Sequence, residues 1–203
     1  GDSGTSIATF TVTLDNASSQ TVTVDYSTAN DTAIAGEDYT AANGTVTFNP
    51  GETAKTISVV VMGDSLDELD ETFNVNLTNP SNGIITDNEG TATIVNDDVP
   101  PELFVADIRV VEGNDGTSLA VFTVTLDNPS SKEISIDYST ADGNAIAGED
   151  YTAIVGTLTF APGEISKTIE VEVLGDILDE IDEAFTINLS NASNVIVTNP
   201  ETT

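Results

Sequence analysis

The sequence predicts an all-β protein made of two antiparallel β-sandwiches in tandem. Its 203 residues are enough for two domains of about 100 residues each. The segment 1–91 aligns with the segment 113–203 without a gap, and 57 of the 91 aligned positions are identical. Apolar and polar residues alternate with a period of two, and turn residues separate these runs at the spacing of about 8–12 residues that is typical of sandwiches.

The first copy contains several runs that predict strands. "FTVTLDN" (10–16) alternates apolar and polar residues, and "TISVVVM" (56–62) and "FNVNL" (73–77) lie on either side of an acidic segment. "GTATIVNDD" (90–98) closes the copy. Turn-forming pairs separate the runs: Asp15-Asn16, Asn43-Gly44 and Pro50-Gly51.

The second copy repeats the pattern with one additional segment at its start. "PELFVADIRVVEG" (101–113) is predicted to be a strand that precedes the repeat, whereas nothing precedes Gly1 in the first copy. The second copy stops at Thr203, before any counterpart of 90–98. The residues predicted to point inward on the other strands are Phe122, Val124, Leu126, Ile134, Ile136, Tyr138, Ile169, Val171 and Val173.

These boundaries predict three parts: a first repeat at 1–98 that lacks its first strand, a short proline linker at 99–101, and a second repeat at 102–203 that lacks its last strand. Two explanations stay open. The chain is a window cut from a longer array, or neighbouring chains supply the missing strands, because an open sheet edge is a template for strand addition.

The composition is strongly acidic. The chain has 35 Asp and Glu residues and four Lys and Arg residues, for a net charge of −31, so nucleic acid and anionic membranes are poor partners and metal cations are favoured. Cysteine and histidine are absent, which excludes disulfides, ordinary zinc sites and histidine-based catalytic triads. The sequence has no apolar run of about 18 residues, so direct membrane insertion is not expected.

The negative charge is concentrated in "GDSLDELDETF" (63–73) and "GDILDEIDEAF" (175–185). A charged helical turn is disfavoured because strong strands flank the run and its carboxylates would repel one another at helical spacing. A solvated loop is the second alternative. A calcium site explains the repeated pattern better, since Ca²⁺ takes six to eight oxygen ligands. The five acids of each copy are Asp64, Asp67, Glu68, Asp70 and Glu71, and Asp176, Asp179, Glu180, Asp182 and Glu183.

One loop rarely completes a calcium shell, so other loops should contribute ligands. Candidates are Asn96, Asp97 and Asp98 after the last strand of the first copy, Asp142 in "TADGNAIAGEDY", and Glu112 at the start of the second copy. The spacing is not that of an EF-hand.

Taken together, "VVEGNDGTSLAVFTVTL", "YSTADGNAIAGEDYT", "GTLTFAPGEISKTIEVEVLGDILDEIDEAFTINL" and "GTATIVNDD" resemble the Calx-β domain, which occurs in sodium–calcium exchangers, an integrin subunit and large bacterial surface proteins. The resemblance covers essentially the whole chain. It implies immunoglobulin-like sandwiches of about seven strands that bind Ca²⁺ at one pole. Carried over by position, the implied metal ligands are Asp64, the Leu66 carbonyl, Glu68, Glu71, Asp97 and Asp98, then Glu112, Asp142, Asp176, the Leu178 carbonyl, Glu180 and Glu183.

The sequence departs from the family at two places. Gly63-Asp64-Ser65 and Gly175-Asp176-Ile177 stand where exchanger domains have consecutive aspartates, and Asn30 replaces the middle-loop acid in the first copy. We therefore expect one or two ions per site. Asp67 and Asp70 are expected to solvate the loop or to support the ligands from outside the shell. The tyrosine of "GEDYT" (36–40 and 148–152) is interpreted as a packing and capping residue.

The function predicted from these features is a calcium-binding structural or adhesive module of a long extracellular fibre, matrix protein or adhesin. Calcium would stiffen the loops and the junction between the repeats. The alternative is a regulatory Ca²⁺-sensor pair coupled to a membrane transporter or another effector, and no enzymatic activity is expected. Expected partners are neighbouring repeats or copies of the same protein and a cell-surface or matrix ligand, and the expected location is the exterior or surface of a bacterial cell.

Overall fold

The computed structural model describes residues 1, 3–199 and 201–202. By contact, the chain divides into one unit of Gly1–Ser65 and Leu69–Asp98 and a second unit of Leu66–Glu68 and Val99–Thr203. Among the described residues, no helix has the length and apolar character needed to cross a membrane.

In its described residues, the first unit contains six strands in two sheets. They are β1 (Thr5–Thr13), β2 (Val22–Asn30), β3 (Asn43–Phe48), β4 (Ala54–Met62), β5 (Glu71–Ser81) and β6 (Glu89–Ile94). β1 pairs with β4 along its whole length, from Thr5 opposite Met62 to Thr13 opposite Ala54. The other sheet has the order β3-β2-β5-β6 and is antiparallel throughout.

The part of the second unit that the structure describes contains eight strands, again in two sheets. They are β7 (Glu102–Val105), β8 (Thr117–Leu126), β9 (Ile134–Asp142), β10 (Val155–Phe160), β11 (Ser166–Leu174), β12 (Phe185–Ser193), β13 (Ile196–Val197) and β14 (Glu201–Thr202). The sheet orders are β11-β8-β7-β13 and β10-β9-β12-β14, and all pairs are antiparallel except the short pair of β13 with β7.

Each unit has its own core because every second residue of a strand points to the same side. Ile169 and Val171 of β11 are buried, while Glu170 and Glu172 are exposed. The core of the second unit combines residues of both its sheets, from Phe122 of β8 to the buried residues of β9, β10 and β12. The prediction of two tandem all-β sandwiches is therefore confirmed.

Two details differ from the sequence-based expectation. The segment 101–113 forms a strand only over Glu102–Val105, since no described strand pairs with it beyond Val105. The last strand expected to be missing from the second repeat is represented by Glu201 and Thr202, which pair with Asn188 and Ile187. Thr203 itself lies outside the described residues.

Asp67 differs from the solvating role expected of it. Within the second unit, which includes residues 66–68, Asp67 is only 2% exposed. The Nζ atom of Lys132 lies 2.6 Å from its Oδ1 atom, and the Ser130 hydroxyl donates to its Oδ2 atom at 3.0 Å. Asp67 is thus a buried, paired carboxylate, and burial of a charge requires such partners.

Candidate metal centres

Each acidic loop begins with a glycine that a larger residue could not replace without a shift of the backbone. A Cβ atom at Gly175 would lie 2.8 Å from the Gly113 carbonyl oxygen and 2.9 Å from that of Glu112. At Gly63 an added Cβ would collide with the carbonyl oxygen of Gly1. In the second unit, this close approach brings the chain at Glu112 next to Asp176, the residue that follows the glycine.

A second turn is held beside the acidic loop by backbone hydrogen bonds. The Leu174 amide donates to the Asp150 carbonyl, and the Thr152 amide donates to the Glu172 carbonyl, both at 2.8 Å. The Asp150 Oδ2 atom accepts a hydrogen bond from the Ile146 amide at 2.6 Å, which closes the turn. Because Leu174 lies just before the acidic loop, these bonds place the Asp150 carboxylate beside it.

The second unit gathers five carboxylates into two overlapping groups. One consists of Glu112, Asp176 and Glu180, and the other of Asp150, Glu180 and Glu183. In each group, one oxygen atom from every member lies within 4.8 Å of the others. Glu180 belongs to both groups, and its two carboxylate oxygens allow it to bridge two neighbouring ions.

The first repeat gathers a smaller group built in the same way. Within the first unit, Asp38 and Asp64 offer oxygen atoms that lie within 4.8 Å of each other. The Met62 amide donates to the Asp38 carbonyl at 2.8 Å, and the Asp38 Oδ2 atom accepts from the Ile34 amide at 2.6 Å. The turn that carries Asp38 is therefore anchored to the end of β4, as its counterpart is to the end of β11.

The crowded carboxylates disfavour their own ionisation. Partial desolvation is the main cause of a raised pKa at Glu180, and repulsion from Asp176 and Asp150 raises this pKa further. Desolvation is likewise the main cause of a raised pKa at Glu183, and the negative charges of Asp150 and Glu180 raise this pKa further. A cation among these oxygens would relieve the repulsion.

The donor set fits calcium. Its members are carboxylate oxygens on exposed or half-buried loops, and Ca²⁺ prefers such ligands in a flexible geometry, with carbonyl groups and water completing the shell. Soft metals have no thiolate or imidazole ligand here, because the chain contains no cysteine or histidine.

Asp142, which was predicted as a ligand, belongs to none of these groups among the described residues. Its Oδ1 atom accepts hydrogen bonds from the Tyr151 hydroxyl at 2.6 Å and from the Ala147 amide at 2.9 Å. The hydrogen bond from Tyr151 is the main cause of a lowered pKa at Asp142, and the bond from Ala147 lowers this pKa further. Asn30 accepts the corresponding bonds in the first unit, so this position has a structural role in both copies.

The tyrosines of the repeated "GEDYT" motif are packing residues, as predicted. Tyr151 is buried and stacks on Phe185 with ring centroids 4.3 Å apart, and Tyr39 stacks on Phe73 at the same distance. Their hydroxyl groups donate to Asp142 and Asn30. Each tyrosine therefore anchors to the core the turn that carries the aspartate before it in the sequence, Asp150 or Asp38.

Several other predicted ligands lie outside the three groups. Asp97 and Asp98 lie in the segment that follows β6. Glu71 is the first residue of β5 and pairs in register with Ile94. Among the described residues, the predicted carboxylate ligands outside the groups are Glu71, Asp97, Asp98 and Asp142. The Glu68 carboxylate and the Leu66 and Leu178 carbonyl groups stay predictions.

Asp38 and Asp150 are candidate ligands that the sequence-based reasoning missed. Both lie in "GEDYT", which was interpreted only through its tyrosine. The signal was present, because the whole of "AIAGEDYTA" is identical in the two copies and contains an acid at each of these positions. Its relevance depends on the hydrogen bonds to β4 and β11, which join segments that are distant in the sequence.

A comparison with known proteins matches nearly the whole chain to one family. The model of the Calx-beta domain matches residues 2–99 and again residues 101–203. This confirms the resemblance noted in the sequence, and it confirms calcium as the expected ion for the carboxylate groups.

Individual relatives include transport and receptor proteins. Sodium/calcium exchanger 1 of Rattus norvegicus is 34% identical over 188 residues, which cover 83% of this chain and 19% of the exchanger. Adhesion G-protein coupled receptor V1 of Danio rerio is 32% identical over 174 residues, which cover 80% of this chain and 3% of the receptor. The chain thus spans less than a fifth of the length of either relative.

The solved structures that match include the calcium binding domain CBD12 of CALX1.1. It is 22% identical, with a TM-score of 0.45, and the match covers 92% of this chain and 73% of that chain. The apo form of the Calx CBD1 domain is 34% identical, with a TM-score of 0.38, over 39% of this chain and 73% of that chain. On the evidence of the family model and the exchanger relatives, the chain belongs to the Calx-beta domain family and carries two copies of the domain in tandem.

Proposed function

We propose that this chain is a calcium-responsive regulatory domain pair, which couples ion binding at its acidic loops to a membrane transporter or another effector in a longer protein. The observation that carries the proposal is the pair of overlapping carboxylate groups centred on Glu180. The 34% sequence identity with sodium/calcium exchanger 1 of Rattus norvegicus supports a link to a transporter. The extracellular and adhesive interpretation has no comparable support from the exchanger relatives.

The residues assigned to ion binding in the second unit are those of the two groups. Glu112, Asp176 and Glu180 would hold one Ca²⁺, and Asp150, Glu180 and Glu183 would hold the other. Water and backbone carbonyl groups must complete each shell, because three carboxylates supply fewer than the usual six to eight oxygen ligands unless they bind through both oxygens.

The first repeat would bind Ca²⁺ in the same way. Its ligands would include Asp38 and Asp64, the counterparts by position of Asp150 and Asp176. The correspondence supports one mode of binding in both copies.

The response to calcium follows from the position of these residues. Bound Ca²⁺ supplies the positive charge that offsets the repulsion among the carboxylates. The Asp176 Oδ1 atom accepts from the Leu178 amide at 2.7 Å, so the start of the loop is already ordered, whereas 179–184 precede β12 without regular secondary structure. Coordination of Ca²⁺ by Glu180 and Glu183 would order the segment 179–184, and this ordering would be transmitted to β12.

The test is calcium titration of the purified chain by calorimetry, together with thermal unfolding in chelator and in millimolar Ca²⁺. A ligand that binds only the folded state raises the unfolding midpoint. Asp176→Asn with Glu180→Gln should abolish binding to the second unit, and Glu170→Gln on the exposed face of β11 is the matched control for a lost negative charge. Unchanged midpoints in chelator and calcium would contradict calcium binding.

A second candidate, a repeat module of an extracellular fibre or adhesin, is favoured by one observation. The two copies are identical at 57 of 91 aligned positions, as expected for a recently duplicated spacer. Sequencing the gene on both sides of this region would distinguish the two. Transmembrane segments next to the pair would support the regulatory function, while further copies of the same repeat and surface labelling of intact cells would support the fibre.

A further inference from the structure

The pair Asn-Gly occurs twice in the chain, both times in the first repeat, as Asn43-Gly44 and Asn82-Gly83. The aligned pairs of the second repeat are Val155-Gly156 and Asn194-Val195. An asparagine that precedes glycine loses its side-chain amide readily in water, because glycine has no Cβ atom to shield its backbone nitrogen. The two repeats therefore differ in this chemical reactivity.

Asn82 ties the end of β5 to the start of β2. It follows the last residue of β5 and has a left-handed backbone with a φ of 57°, which asparagine adopts more readily than most residues. Its Nδ2 atom donates a hydrogen bond to the Thr21 carbonyl at 2.9 Å, just before β2 begins at Val22. The intact side-chain amide of Asn82 is thus part of the fold.

The second unit makes the same contact with a less reactive pair. Asn194 has a φ of 60°, and its Nδ2 atom donates to the Glu133 carbonyl at 2.9 Å. Asn194 and Asn82 are both exposed, so water reaches either side chain. The following residue differs: Gly83 is exposed, whereas Val195 is half-buried and packs against the core. Asn194 is therefore a matched internal control for Asn82.

The fold protects the other Asn-Gly pair. Asn43 and Gly44 begin β3 and lie opposite Ser27 and Tyr26 of β2. The Tyr26 ring lies so close that a Cβ atom added at Gly44 would be 3.0 Å from its Cε1 atom. The strand keeps this backbone extended and the ring covers the glycine, which hinders the approach of the Gly44 nitrogen to the Asn43 side chain. Gly83 lies outside the strands.

We propose that Asn82 is a site of spontaneous deamidation, a modification of the first repeat that the second repeat escapes. The Gly83 backbone nitrogen attacks the side-chain carbonyl carbon of Asn82, and the new bond closes a succinimide ring. The bond from that carbon to the side-chain nitrogen breaks, and ammonia leaves with the proton of the Gly83 nitrogen. Water then opens the ring at either carbonyl carbon, which gives aspartate or isoaspartate. The reaction does not depend on calcium.

The product loses the contact that Asn82 makes. An ionised carboxylate has no hydrogen to donate to the Thr21 carbonyl, and its negative charge would lie beside that oxygen. Isoaspartate in addition lengthens the main chain at a residue whose φ is left-handed. We expect the pairing of Thr23 with Ser81 to weaken, because it lies next to a shift in the register of β2 and β5.

Peptide mass spectrometry of the intact chain, aged in mildly alkaline buffer, tests the site. Asn82 should convert at least about tenfold faster than Asn43 or Asn194, which corresponds to about 1.4 kcal/mol in activation free energy. In urea, Asn43 should react about as fast as Asn82, since the strand and the Tyr26 ring no longer protect it. Asn82 that reacts no faster than Asn43 in the folded chain would overturn the proposal.

Two variants separate the reaction from its consequence. Gly83→Ala should slow the conversion of Asn82, and its Cβ atom would meet only the Val22 side chain, at 3.2 Å. Unchanged conversion in this variant would contradict attack by the Gly83 nitrogen. Asn82→Asp reproduces the aspartate product and should lower the unfolding midpoint, whereas Asn88→Asp adds the same charge elsewhere in the loop. Equal midpoints for these two variants would show that the product does not weaken the fold.

Discussion

The amide of Leu174 donates a hydrogen bond to the carbonyl oxygen of Asp150 at 2.8 Å. This bond ties the turn at 146–151 to the end of β11, just before Asp176. It explains how Asp150, which is distant from Asp176 in the sequence, comes to share Glu180 as a neighbour. The same bond between Met62 and Asp38 recurs in the first unit. The same backbone hydrogen bond therefore positions an aspartate in the candidate centre of each repeat.

Replacing Asp150 with asparagine tests its assignment as a ligand. The side-chain carbonyl oxygen of the introduced asparagine would still accept the bond from the Ile146 amide, so the turn should persist while one negative charge is lost. We expect calcium affinity of the second unit to fall about tenfold, which corresponds to about 1.4 kcal/mol. Calorimetric titration measures the change, and Asp137→Asn, outside the groups, is the control. Equal affinities for the two variants would remove Asp150 from the site.

Replacing Gly175 with alanine tests the close approach at the start of the acidic loop. The added Cβ would lie 2.8 Å from the Gly113 carbonyl oxygen, so the backbone must shift. We expect a loss of about 1–3 kcal/mol in the free energy of unfolding, as for other overpacked sites. Urea denaturation in chelator measures this. Ile177→Ala, at a residue 86% exposed, should change the free energy by less than about 0.5 kcal/mol. A Gly175→Ala variant as stable as this control would contradict the prediction.

The two buried tyrosines form a matched pair for measuring a charged hydrogen bond. Tyr151→Phe removes a bond to the Asp142 carboxylate, and Tyr39→Phe removes a bond to the neutral Asn30 side chain. Because bonds to charged acceptors are stronger, Tyr151→Phe should lower stability more at neutral pH.

The difference between these variants should depend on pH. The pKa of Asp142 lies below its ordinary value of 3.8, so the stability that its ionised form contributes is present above about pH 4 and is lost as the pH falls through the lowered pKa. Thermal unfolding of both variants from pH 7 to pH 3 would show this. A constant difference across that range would contradict the role of the Asp142 charge.

The crowded glutamates predict a pH dependence of the opposite sign. Glu180 and Glu183 have pKa values raised above the ordinary 4.5, so the folded state holds their protons more tightly than the unfolded state does. In chelator, their contribution to stability should decline as the pH rises from about 4.5 through the raised pKa values. Saturating Ca²⁺ should remove this decline, because the ion favours the ionised forms.

Thermal unfolding between pH 4.5 and pH 7 measures the effect of these two groups. Glu180→Gln with Glu183→Gln should flatten the decline in chelator, whereas Glu170→Gln should leave it unchanged. A decline of the same slope in the double variant would assign the pH dependence to other groups.

The sequence alone predicted the duplication, the strand class and the acidic loops. These features are local or strictly periodic: the alternation of Phe122, Val124 and Leu126 follows from the geometry of a strand, and direct alignment of the two copies needs no structure. Five of the twelve predicted metal ligands lie in carboxylate groups within a single unit: Asp64, Glu112, Asp176, Glu180 and Glu183.

Hydrogen bonds between segments that are distant in the sequence place further acids beside those five. Asp150 lies beside Glu180 because its backbone pairs with Leu174, whereas the Oδ1 atom of Asp142 accepts from Tyr151 and Ala147. Composition cannot separate these two aspartates, since both lie in the short stretch "DGNAIAGED". The physical reason is that hydrogen bonds between distant segments set which carboxylate oxygens face one another, and a sequence pattern contains no direct record of those distances.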